Sequence, residues 1–80
     1  MMRKKEPKTV VTFASTSDAM AMEAAAREHG IPGRIIPVPS EISAGCGLSW
    51  SAPAEQRDEL LDGIERYGIA HEGVFEVEMY

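Results

Sequence analysis

A second cysteine is missing from this 80-residue chain; Cys46 stands alone. That excludes an internal disulfide, and it leaves a soft-metal site without the several thiolates such sites use. Two His complete the short supply of nitrogen and sulfur ligands, so neither a metal site nor a bound cofactor is expected within one monomer. Basic residues are also scarce, with 8 Lys and Arg against 13 Asp and Glu and a net charge of −5. Phosphate backbones and anionic lipid surfaces are bound through clustered cations, so nucleic acid and membrane are not expected partners. The one basic cluster, Arg3-Lys4-Lys5, lies in a polar lead-in. No apolar run approaches the ~18 residues that span a bilayer. No apolar stretch precedes Thr9, so no secretory signal is expected. With a lone free thiol, this points to a reducing cytoplasm.

What is present is ordinary for a globular domain: 44% hydrophobic and 26% charged residues. Residues 1–7 are expected to be a flexible tail ending in Pro7, and 8–80 a single domain. Thr9-Val10-Val11-Thr12-Phe13 is β-branched and aromatic, the composition of a buried strand. Ser15, with Asp18 three residues on, approximates a capping box. Thr16 to His29 is rich in Ala, Met and Glu, which favour helix. Gly30 is a natural stop, with Pro32 beyond it. His29 in the last turn complements the helix dipole, and Glu23 is read as either a solvated acid or a buried anchor.

Arg34-Ile35-Ile36-Pro37-Val38 reads as a second strand, held to a sheet edge by Pro37. A loop from Pro39 to Gly45 follows. Gly47 to Ala52 alternates, with Leu48 and Trp50 on one face, as a third strand does. Pro53 suits the first turn of a second helix, which Gly68 ends. Leu60, Leu61, Ile64 and Tyr67 recur along it at helical spacing. Val74 to Tyr80 reads as a fourth strand whose two Glu mark a solvated face. The order βαββαβ predicts an α+β, ferredoxin-like fold: a four-stranded antiparallel sheet, strand order 4-1-3-2, with two helices on one face.

That topology brings several residues to one edge of the sheet. The entry of the first helix, Ser15-Thr16-Ser17, meets the Gly45-Cys46-Gly47 turn there. The exit of the second helix carries His71 to the same edge. The thiolate is the nucleophilic form of cysteine, and free N–H groups at a helix N-terminus favour an anion. Asp18 opposes that effect if it lies close. Glycine on each side leaves room for an approaching partner. The plain alternative is that Cys46 is a small buried hydrophobe.

The run Phe13-Ala14-Ser15-Thr16-Ser17-Asp18-Ala19, then Glu23, Gly30-Ile31-Pro32, Ile36-Pro37-Val38-Pro39, Cys46-Gly47-Leu48, Gly68-Ile69 and Glu72-Gly73-Val74-Phe75 resembles the Se/S carrier protein-like family. That is a group of short bacterial proteins long filed as a domain of unknown function. The resemblance covers about residues 8–78. Gly45 and Ala14 depart from the family's more usual Ser, or Pro or Ser, at those places. The resemblance implies that Cys46 holds sulfane sulfur or selenium as a persulfide or selenosulfide. The atom would come from a cysteine desulfurase-like donor and pass to an acceptor protein. Such a chain is a carrier more than a true enzyme. Gly45, Gly47, Ser15, Thr16, Ser17 and His71 would shape the site. The alternative reading is a non-catalytic binding module with a structural Cys46. Either could pair with a second copy through an exposed strand edge.

Overall fold

A computed structural model of the protein describes residues 5–42 and 46–79. Seven elements follow one another: β1 (Glu6–Thr12), α1 (Thr16–His29), β2 (Arg34–Pro37), β3 (Leu48–Pro53), a short 3-10 turn (Ala54–Gln56), α2 (Arg57–Arg66) and β4 (Gly73–Met79). The sheet order is β2-β3-β1-β4, every neighbour antiparallel. This is the expected 4-1-3-2 arrangement.

The strands differ from the sequence reading at their ends. β1 starts at Glu6, so Glu6 and Pro7, expected in the tail, are strand. Pro7 is tolerated because β3 reaches only as far as Lys8, which leaves Pro7 paired on one side, with Glu78. Pro53 closes β3 instead of opening a helix, and the tight turn after it takes over that role. The Arg3-Lys4 pair and Gly45 lie outside the described residues.

Antiparallel partners share a face, which assigns each strand residue to a side of the sheet. Val11, Trp50 and Ile35 stand in one row, and Val74 is opposite Val11. This side meets Ala19, Met22 and Ala26 of α1 and Leu60 and Ile64 of α2 in the main core. Both helices therefore cover the same face. Phe13, just past β1, is fully buried in that core. Ile31, after the α1 stop at Gly30, seats against Gly63 of α2, where a side chain at Gly63 would collide with it.

The helix-free side carries Lys8, Val10 and Thr12 on β1, Arg34 and Ile36 on β2, Ser49 and Ser51 on β3, and Phe75, Val77 and Met79 on β4. Its central polar residues are buried and mostly bonded to backbone. Ser49 Oγ donates to the Ile36 carbonyl and Thr12 Oγ1 to the Gly73 carbonyl, each at 3.5 Å. The Phe75 ring leans along its own strand over Gly73. Glu76 and Glu78 of β4 thus stand on the helix side, and the apolar alternates on the open side. The Glu residues are still solvated, because β4 is an edge strand beyond the full cover of the helices. Arg57 reaches across from α2 to pair with Glu76, which also accepts from Thr9 Oγ1 at 2.9 Å.

Candidate functional site around Cys46

The turn that holds Cys46 is built from two sequence pieces. Pro37 opposite Leu48 is the last pair of the β2–β3 ladder. Just past it, Val38 N–H donates to the Gly47 carbonyl at 3.1 Å and closes the intervening loop. Within that loop Ile42 N–H donates to the Pro39 carbonyl at 2.9 Å, and Ile42 is buried. Gly47 has φ of 77°, a left-handed conformation that glycine adopts without strain. It turns the chain sharply from Cys46 into β3.

The turn folds Cys46 back on Leu48. The Sγ–H donates to the Leu48 carbonyl at 3.1 Å, and the Leu48 N–H donates to Sγ at 3.4 Å. Cys46 is half-buried, free and packed against the core. The thiol therefore has one amide donor aimed at it and one accessible side. In its thiolate form the Leu48 N–H is the contact that persists, and hydrogen bonds to a charged acceptor are the stronger kind.

The helix entry follows β1, the strand paired with β3. Thr12 is the β1 partner of Ser49. Ser15 caps α1: its Oγ accepts from the Asp18 N–H at 3.2 Å, as the sequence spacing implied. This uses the Asp18 donor and leaves the N–H groups of Thr16 and Ser17 free of the cap. Ser15, Thr16 and Ser17 are exposed.

Other expected neighbours do not converge. His71 does reach the same edge, since the Glu72 N–H beside it donates to the Thr12 carbonyl at 2.7 Å. Its Nδ1 is 3.1 Å from the Ile69 carbonyl in its own loop, and it makes no hydrogen bond with Cys46. Gly45 lies outside the described residues. Glu23 is a solvated partner of Arg27, at 3.7 Å. His29 stacks on Tyr67 with ring centroids 3.7 Å apart, which ties the ends of the two helices together. The Leu48 amide was missed from sequence because a backbone donor has no residue signature. The Gly after Cys46 was the signal for it. Among the described residues no cluster of three or more His, Cys, Asp or Glu could hold a metal ion, and no helix is long and apolar enough to cross a membrane.

Neither a curated protein nor a solved structure matches the chain. A family model does: the family described as "Putative Se/S carrier protein-like" matches residues 8–76. The matched stretch contains most of β1, both helices, the Cys46 turn and the first half of β4, and the chain belongs to that Se/S carrier protein-like family.

Proposed function

We propose that the protein carries sulfur or selenium on Cys46 between a desulfurase-like donor and an acceptor protein. The observation that supports this most directly is the family match across the whole fold, with the lone cysteine in a turn that gives its sulfur an amide donor. In the loading step the Cys46 thiolate attacks the terminal sulfur of a donor persulfide. The new bond joins Cys46 Sγ to that sulfur, the donor's S–S bond breaks, and the donor leaves as a thiolate. In the unloading step a nucleophile of the acceptor attacks the outer sulfur and Cys46 leaves as a thiolate. Net oxidation state is conserved, so no external oxidant or reductant enters. Selenium follows the same exchange as a selenosulfide. The Leu48 N–H steadies the thiolate that attacks first and departs last. With one cysteine, release depends on the acceptor and cannot occur by an internal disulfide.

A second reading is supported by the packing of Cys46 against the core and its bond to the Leu48 carbonyl. In it the thiol seats the turn, and the domain binds partners without carrying an atom. Incubation with a cysteine desulfurase and cysteine, followed by mass spectrometry, separates the two. The carrier reading expects a mass gain of one sulfur atom at Cys46, lost in Cys46→Ser. The absence of that gain, in protein whose thiol alkylates freely, leaves the binding module.

A further inference from the structure

In a chain with five more acids than bases, cations are expected to find carboxylates. Lys8 pairs with Glu6, Arg27 with Glu23, Arg57 with Glu76 and Arg66 with Asp62. Among the described residues Arg34 has no carboxylate within 4.0 Å and no side-chain hydrogen-bond partner. It stands on the helix-free side of β2, two strands from Lys8, with β3 between them. Arg34 is level with Ser51 and Lys8 with Pro53, a diagonal of about 12 Å across two strand spacings and two residues, which two long side chains can close. There they line a hollow of about 290 Å³, with Lys8 and Arg34 as its cations. Its other walls include Ser51, Ile36, Pro53 and Met79. The Lys8–Glu6 contact is long, 3.9 Å, and Glu6 is solvated, so Lys8 is only loosely held away from the hollow. The Ser51 hydroxyl forms no hydrogen bond with the described residues.

We infer that this hollow binds a small anion on an apolar body, a carboxylate or a phosphate ester, with the charge on Arg34 and Lys8 and the apolar part over Pro53 and Met79. Three features carry the inference. Guanidinium matches a carboxylate or phosphate in paired, charge-assisted hydrogen bonds. The volume lies near the lower end of small-ligand sites. The acidic residues of α1, α2 and β4 lie on the opposite side of the sheet; among the described strand residues only Glu6 is an acid on this side, so the two cations leave it net positive. The inference is independent of Cys46.

The test is an NMR titration of the full chain with octanoate and, separately, with inorganic phosphate. Octanoate at millimolar concentration is expected to shift the amides of Lys8, Arg34 and Ser51 and the Met79 methyl in a saturable way. Phosphate is expected to move the same amides with weaker affinity, because it lacks the apolar part. Arg34→Gln weakens octanoate binding about tenfold or more, whereas Arg66→Gln, which removes a cation from α2, leaves it unchanged. Arg34 is exposed, so the variant is expected to fold. The proposal is overturned by any of three results: no saturable octanoate shift, unchanged affinity in Arg34→Gln, or phosphate binding at least as tightly as octanoate.

Discussion

At the scale of single residues, three positions carry the account: Gly47, Gly33 and Ser15. Gly47 has open space around the place a Cβ would occupy, so only its φ of 77° resists substitution. Gly47→Ala is expected to destabilise the fold by about 1 kcal/mol. It also turns Cys46 away from the Leu48 amide, which would show as a changed rate of thiol alkylation. Gly33 is different. Its φ is 117°, and a Cβ there would meet Trp50 Nε1 and, at 2.6 Å, the Ser51 carbonyl. Trp50 Nε1–H donates to the Pro32 carbonyl at 2.8 Å, so the ring cannot retreat without losing that bond. Gly33→Ala is expected to cost more than about 2 kcal/mol in urea unfolding. Ser15→Ala removes the α1 cap and is expected to cost about 1 kcal/mol. Alkylation of Cys46 in that variant reports whether the helix entry acts on the thiol, since the cap and the thiol share no direct bond.

At the scale of elements, α2 is held mainly by Leu60 and Ile64, while Arg57 and Arg66 add solvated ion pairs. Leu60 is fully buried, and Leu60→Ala is expected to cost about 2–5 kcal/mol. The Arg57→Gln variant is expected to lose no more than about 1 kcal/mol, because its pair with Glu76 is partly exposed. The contrast between the two variants, read in one unfolding series, tests whether apolar burial or surface charge docks the helix. The elements were largely legible in the sequence. The Ser15 cap and the Gly30 stop bracket α1 at the predicted residues, because caps are local chemistry. Pro53 misled because proline suits both a strand end and a first helical turn, and only the Lys8 pairing decides between them. The faces of β4 needed the β1 register, since alternation alone does not say which side the helices cover.

At the scale of the whole molecule, the fold separates two surfaces. One side of the sheet carries the helices and most of the acids; the other carries Lys8, Arg34 and the apolar alternates of β4. The Cys46 turn stands at the end of the β2–β3 ladder. Its place just before β3 was legible from the alternating run that begins at Gly47. The partner of its sulfur was not, since the Leu48 amide and the Val38–Gly47 bond arise only when β2 and β3 pair. His71 shares the edge but faces its own loop, a distinction that topology alone does not make. The carrier account stands or falls on mass spectrometry of the intact chain after incubation with a cysteine desulfurase and cysteine, alongside alkylation of the same thiol. It predicts a gain of one sulfur atom, located at Cys46 and absent in Cys46→Ser. A Cys46 that alkylates readily yet gains no sulfur would contradict it.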